Sequence, residues 1–374
     1  MIIGIDASRA ITTRRTGTEA YAFFLIRALI PLATARGHRV QLYCHQAPPP
    51  NFFPLNDQTE LIVIPFPRLW THVRLGMALQ QKRPHVFFTP AHVIPGMYFG
   101  CSVATVHDLG YRYFPQAHTR WQRVYLEWST RHNCRRSRRV IADSQATRDD
   151  LVRFYGVRPD KIDVIYPAVD PNLRPITNER EITAVCHKYG ITPPYLLYLG
   201  TLQPRKNLIR LLEAYAHANL PHQLVLAGNP GWLSRPILAA IKALPAEIAA
   251  RVCLTGYVDE EDKGALLSAA TALVFPSLYE GFGFPVLEAQ VCETAVLCAN
   301  TSSLPEVAND AALYVNPTDT NALTAALIQI ATDNDLRQQL IMAGKTNARR
   351  FNWETTARQV LHSLEQASGL PPKN

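Results

Sequence analysis

Phe275-Pro276-Ser277-Leu278-Tyr279-Glu280-Gly281-Phe282-Gly283-Phe284-Pro285-Val286-Leu287-Glu288-Ala289 is the stretch that decides the fold. It reads as the end of a strand, a glycine-rich turn, and a helix beginning near Pro285, where proline suits the first helical turn. Such a turn presents backbone N–H groups at the positive end of a helix, which makes an anion site. Glu280 stands in the loop before that end and Glu288 about one turn into the helix. Two carboxylates therefore flank a phosphate position from different directions, where an acid suits the hydroxyls of a ribose or a sugar. Taken alone, the segment is equally compatible with a tight turn carrying two surface acids.

Outward from this stretch the second half alternates regularly. Short β-rich runs at 195–199, 223–227, 251–254, 272–275 and 295–299 alternate with helical patterns at 207–218, 234–243, 260–269, 285–292 and 319–331. That alternation predicts βαβ units and a parallel, doubly wound sheet. The first half repeats the scheme, with strands at 2–6, 39–44, 61–64, 85–88, 102–106, 139–142 and 162–166 and a first helix at about 18–34. The fold class is α/β, with two Rossmann-like domains and ligands expected at the carboxyl ends of the strands. A Pro-rich stretch with Pro171, Pro175, Pro193 and Pro194 sets the boundary. The expected organisation is a domain at 1–172, a linker at 173–192 with a short charged helix, a domain at 193–350, and a terminal helix at 351–374.

A second segment, Gly200-Thr201-Leu202-Gln203-Pro204-Arg205-Lys206-Asn207, lies between a strand and a helix. Asn207 is expected as the helix N-cap. Arg205 and Lys206 precede the helix start, where cations oppose the dipole unless an anion is bound. That conflict points to a diphosphate, the alternative being two solvated loop cations.

Length and composition set the bounds. The chain has 374 residues, enough for two domains that each bury a core. No apolar run approaches the roughly 20 residues of a membrane span, and the N-terminus reads as a buried strand rather than a leader. The seven cysteines are scattered, with no C-x-x-C pair and no zinc spacing, so reduced thiols are expected and neither disulfides nor a metal. Charge is uneven: residues 1–180 carry +11 and residues 181–374 carry −3. A cationic first half suits phosphate groups or an anionic lipid surface. Its densest run, Arg131, Arg135, Arg136, Arg138 and Arg139, reads either as a solvated helix end or as a membrane-facing surface. Nucleic acid is not the expected partner, because no aromatics are interleaved with that run as a stacking platform.

With these segments together, the chain resembles the retaining glycosyltransferases of family four, which have the two-domain GT-B fold. Glu280 and Glu288 match its E-x7-E pattern. Similar to the family are also Pro204-Arg205-Lys206-Asn207, Gly256-Tyr257-Val258 and Ser302-Ser303-Leu304-Pro305-Glu306-Val307. In the first half the similar segments are Gly17-Thr18, Val106-His107-Asp108, Asp143-Ser144 and Tyr166-Pro167-Ala168-Val169-Asp170. The resemblance runs in order over nearly the whole chain.

The resemblance implies an active site in a cleft between the two domains. It implies that Glu288 binds the ribose of a nucleotide and Glu280 the donor-sugar hydroxyls, while Arg205 and Lys206 hold the diphosphate and stabilise the departing charge. Backbone at Gly281, Phe282, Gly283 and Phe284 would contact sugar and phosphate, and Gly256, Tyr257 and Val258 would lie against the base. Gly17 would let the first loop approach the diphosphate, and His107 would line the donor-sugar pocket. From its residues alone, the His107-Asp108 pair could equally be a strand-end cap. Neither glutamate is assigned as a covalent nucleophile. The family is usually metal-independent, and the chain has no D-x-D motif. No cofactor is implied beyond the nucleotide-sugar substrate, with GDP-mannose favoured over a UDP-sugar because segments 200–207 and 89–95 look mannosyl- or rhamnosyl-type. The implied acceptor is a glycan or polyprenyl-linked chain of polysaccharide assembly, and the location cytoplasmic, peripheral at the inner membrane face.

Two departures stand out. Thr201 occupies a position where many relatives carry arginine, and Glu293 one that is usually glycine. A nicotinamide or flavin enzyme would need G-x-G-x-x-G after the first strand, which 5–8 lacks. A GT-B-fold epimerase or phosphorylase, and a non-catalytic nucleotide-sugar binder, stay open as alternatives.

Overall fold

The computed structural model describes residues 1–12, 15, 17–66, 70–91 and 93–370. His92 and the last four residues, which the sequence reading included in its 89–95 and 351–374 segments, lie outside the described residues. The chain divides into two compact units. The first comprises residues 1–111, 118–170 and 351–374, and the second residues 112–117 and 171–350.

Among the described residues, the first unit is built on seven parallel strands: β1 (Ile2–Asp6), β2 (Arg39–Cys44), β3 (Thr59–Val63), β4 (Val86–Thr89), β5 (Ser102–Val106), β6 (Arg139–Ala142) and β7 (Ile162–Val164). Their order is β3-β2-β1-β4-β5-β6-β7. The second unit has six: β8 (Tyr195–Leu199), β9 (Gln223–Ala227), β10 (Val252–Gly256), β11 (Ala272–Phe275), β12 (Val296–Ala299) and β13 (Leu313–Val315), ordered β10-β9-β8-β11-β12-β13. Central strands such as β8 and β11 are apolar and buried along their whole length, as strands covered on both faces must be. Each sheet reverses its winding once, between β1 and β4 and between β8 and β11. Loops leaving the carboxyl ends at such a switch point diverge and leave room for a ligand.

Most expected elements are present within two residues. β13 and the helices Leu304–Ala308 and Asn334–Ala348 were not anticipated. The expected linker is corrected: helix Glu179–Lys188 belongs to the second unit, with Val185 and Cys186 buried. Lys188 pairs there with Asp259 and Asp262 at 2.8 and 2.6 Å. Helix Trp353–Ser368 belongs to the first unit. Trp353 Nε1 donates to the Val169 carbonyl at 2.8 Å, and Glu365 receives Arg36 and His38 at 3.1 and 3.0 Å.

A further correction concerns apolar length. Helix Gly17–Ala35 is 19 residues long and apolar enough to cross a membrane by length and composition. It is nonetheless a core helix in this fold: Tyr21, Leu25, Ile26, Leu29 and Ile30 are buried. The arginine run is also largely engaged within the unit. Arg139 pairs with Asp163 and Arg131 with Glu127, while Arg136 donates to the Tyr98 carbonyl and lies over the Phe99 ring. All seven cysteines carry free thiols.

Candidate active site

In the second unit, the loops after β8 and β11 leave the sheet at its switch point, and both sequence-selected motifs lie on them. Pro204–Lys206 forms one short 3-10 turn ahead of helix Leu208–Ala218. Asn207 is not the side-chain cap expected. It takes φ +61° and makes no cap bond, and its amide instead donates to the carbonyls of Pro276 and Pro317, at 3.2 and 2.7 Å. It therefore ties the first loop to the second, and the Leu278 N–H donating to the Arg205 carbonyl at 2.8 Å adds a backbone tie.

The glycine-rich turn is set by its own constraints. Gly283 caps helix Phe284–Val291 at φ +104°, and a Cβ there would come within 2.6 Å of Leu304. Only glycine meets both conditions without strain. Ser303 Oγ donates to the carbonyls of Glu280 and Phe282, and the Glu280 N–H donates to Ser302 Oγ. These two serines, quoted in the sequence only as part of a longer motif, brace the turn.

The result is a tight ion cluster. Arg205 Nη1 lies 2.7 Å from Glu280 Oε2, and Lys206 Nζ 2.5 Å from Glu280 Oε1. Glu280 and Lys206 are each only 6% exposed. Burial alone would push the Glu280 carboxyl up. The charges of Arg205 and Lys206 outweigh it and hold the carboxyl down at about 2. Glu280 is thus ionised at neutral pH and can accept hydrogen bonds but has no proton to give. Two cations face one carboxylate, which leaves the cluster a net formal charge of +1 at the strand ends.

Glu288 lies apart from this cluster, in an ion pair that the sequence reading missed. Lys263 Nζ is 2.9 Å from Glu288 and 2.8 Å from Glu260. Burial would lower the Lys263 ammonium, but the two carboxylates raise it above its usual range. The available signal was a lone cation following the acidic run Asp259-Glu260-Glu261-Asp262. Gly256 ends β10 at φ +70°, Val258 is buried, and Thr201 is exposed. Glu293, in the usual glycine position, adopts φ +57°, so the turn persists with a non-glycine residue.

Gly17 and His107 belong to the first unit. Gly17 opens helix Gly17–Ala35, and His107 follows β5. His107 Nδ1 meets Asp143 Oδ2 at 2.5 Å and Nε2 meets the Pro90 carbonyl at 2.8 Å. A carboxylate and a carbonyl face the two ring nitrogens, so the surroundings offer acceptors on both sides. Burial opposes the charge, yet Asp143 and the Pro90 carbonyl raise the imidazole above its ordinary value. Both ring nitrogens are engaged by acceptors, an arrangement that favours the protonated ring.

Residues 187–347 match the description "Glycosyl transferases group 1", and residues 15–173 match "Glycosyltransferase Family 4". The chain is 30% identical over 297 residues to the O-antigen chain mannosyltransferase B of Escherichia coli, covering 78% of this chain and 77% of that one. It is 26% identical over 261 residues to the O-antigen chain mannosyltransferase RfbU of Salmonella typhimurium, covering 70% and 68%. Among solved structures, sucrose-phosphate synthase from Thermosynechococcus elongatus is similar at TM-score 0.73 and 22% identity, over 98% of both chains. Anabaena HepE in complex with UDP and glucose matches at TM-score 0.73 and 19% identity, over 98% of this chain and all of that one. The fold is GT-B, and with the sequence match to the E. coli enzyme the chain belongs to the group 1 and family 4 glycosyltransferases.

Proposed function

We propose that this glycosyltransferase moves a hexose, mannose in preference, from a nucleotide-diphosphate sugar to a glycan or polyprenyl-linked acceptor in cell-surface polysaccharide assembly, with retention at the anomeric carbon. The observation that carries this reading is the Arg205–Lys206–Glu280 cluster at the switch point, whose net positive charge suits a diphosphate. The names of the E. coli and Salmonella relatives support mannose and a polysaccharide acceptor. GDP-mannose is accordingly the favoured donor.

In this mechanism the bond from the anomeric carbon to the β-phosphate oxygen breaks, and a bond from the acceptor oxygen to that carbon forms on the same face. The acceptor proton passes to the departing phosphate, so atoms and charge balance without a metal. Arg205 and Lys206 take up the charge that grows on the leaving diphosphate. Glu280, kept ionised, accepts hydrogen bonds from donor-sugar hydroxyls. Glu288, oriented by Lys263, accepts from the ribose hydroxyls. Backbone at Gly281, Phe282, Gly283 and Phe284 meets the sugar and phosphate, and Gly256, Tyr257 and Val258 flank the base. Thr201 lies beside the phosphate loop. The setting is cytoplasmic, at the inner face of a membrane.

The test is a donor screen by thermal shift and nucleotide release, using GDP-mannose, UDP-glucose, UDP-N-acetylglucosamine, UDP-galactose and dTDP-rhamnose. Stabilisation by GDP-mannose with slow release of GDP, both lost in Glu288→Ala, is expected. A response to another donor would replace the sugar assignment. Silence toward every donor and free nucleotide would favour a non-catalytic protein on the same fold.

A further inference from the structure

Helix Arg120–Arg136 begins with a Thr119 capping box and then runs through residues that a globular protein normally covers. Trp121, Val124, Tyr125 and Trp128 stand at i, i+3, i+4 and i+7, which places them on one helical face. All four are exposed, at 83, 57, 48 and 43%. A second segment joins them. His72, in the turn Thr71–Leu75, packs its ring 5.5 Å from Trp128 and 6.4 Å from Tyr125. From that same continuous helical stretch, Val73 and Met77 are 42 and 61% exposed. Single exposed apolar residues are ordinary, but a contiguous face of this kind marks an interaction site.

Charge around the face is predominantly positive. Arg74, Arg120 and Arg123 are exposed beside it. Residues 61–107 contain no aspartate or glutamate, and between 109 and 142 Glu127 is the only acid. Glu127 is itself paired with Arg131 and accepts from Tyr155. Tryptophan and tyrosine have an apolar body and one polar edge, which suits the headgroup depth of a bilayer. Arginines at the rim of such a face suit anionic lipid.

We propose that Val73, Met77, Trp121, Val124, Tyr125 and Trp128 form a docking face that inserts shallowly into an anionic lipid bilayer, with Arg74, Arg120 and Arg123 on the headgroups. This rests on the reading that the cationic first unit works at a membrane. It relocates the contact from the arginine run at 131–139 to the aromatic half of the same helix. It does not depend on which sugar is transferred.

The full chain is tested by co-sedimentation with phosphatidylcholine vesicles, with and without about 30% phosphatidylglycerol, at about 50 mM and 500 mM salt. Binding to the anionic vesicles at low salt is expected, with a blue shift of tryptophan emission. Trp121→Ser/Trp128→Ser should lower partitioning by about tenfold or more and abolish the shift. Arg120→Glu/Arg123→Glu should lower it comparably, and it provides a second reading should the tryptophan variant fold poorly. Both variants should keep the wild-type response to a soluble donor, so loss of docking is distinguishable from failure of the transferase reading. The proposal is overturned if the wild type ignores anionic vesicles or if both variants bind them as the wild type does. It is also overturned if the wild type is a dimer that the tryptophan substitutions dissociate, which would make the face a contact between copies.

Discussion

Replacing Glu280 by glutamine removes one charge from a buried cluster of three and leaves Lys206 without its carboxylate partner. Two routes give the magnitude. Removing one member of a buried ion pair typically costs about 3–5 kcal/mol. Independently, a carboxyl held at about 2 rather than its ordinary 4.5 favours the folded ionised form by about 3 kcal/mol, at about 1.4 kcal/mol per pH unit. The routes agree, so Glu280→Gln should lower the unfolding midpoint at neutral pH by about 6–12 °C, given about 2–4 °C per kcal/mol in a unit of this size. The sign with pH follows from linkage. A depressed carboxyl contributes its full stability above its unfolded value and loses it as pH falls toward its folded value. The gap between wild type and variant should therefore be widest at pH 6–7 and have lost about 2 kcal/mol by about pH 3. Urea titrations of the whole chain at several pH values, followed by far-UV circular dichroism, measure this. A variant as stable as the wild type at pH 7, or a gap that does not narrow in acid, would refute the cluster as the source of the shift. Transfer activity should fall in the same variant, because the sugar loses a charged acceptor.

Other outcomes follow from single contacts. Glu288→Ala should weaken nucleotide binding by about 10–100-fold, the worth of a charge-assisted hydrogen bond, as read by titration calorimetry. Lys263→Met should weaken it by a smaller factor while leaving Glu280-dependent stability intact, and an unchanged affinity would remove Lys263 as the positioning residue. Asp143→Asn should destabilise the first unit most at acid and neutral pH. His107 is raised, so its stabilisation is complete below its ordinary value and is lost as pH rises through the raised one. Thermal scans from pH 5 to 9 that show a constant deficit would contradict this. Glu293→Gly should raise stability by about 0.5–1 kcal/mol by relieving a left-handed backbone, less the small worth of its exposed pair with Lys345. A lower melting temperature would show that the pair outweighs the strain.

Much of the fold was readable locally. Strands such as 195–199 and 272–275 are uninterrupted apolar runs because both faces of a parallel sheet are buried, and such runs need no partner to be recognised. The charges of Arg205 and Lys206 before a helix start, and the glycines around Glu280, mark the site through rules that act over a few residues. β13, three residues long, was not read as a strand. Asn207 obeyed a local capping preference in sequence and broke it in structure, because two carbonyls about 70 and 110 residues away claimed its amide.

The sequence by itself determined most of the strands and helices, where the glycine turn lies, and which residues carry charge beside it. Only the tertiary structure decided that Arg205 and Lys206 close on Glu280, that Lys263 serves Glu288, and that both nitrogens of His107 are occupied. It also left the aromatic face of helix Arg120–Arg136 uncovered. Periodicity and propensity are set by neighbours along the chain, whereas these pairings join residues 17 to 75 positions apart and depend on which strands lie side by side. Strand order is chosen by burial of whole elements, and no short window of sequence contains it.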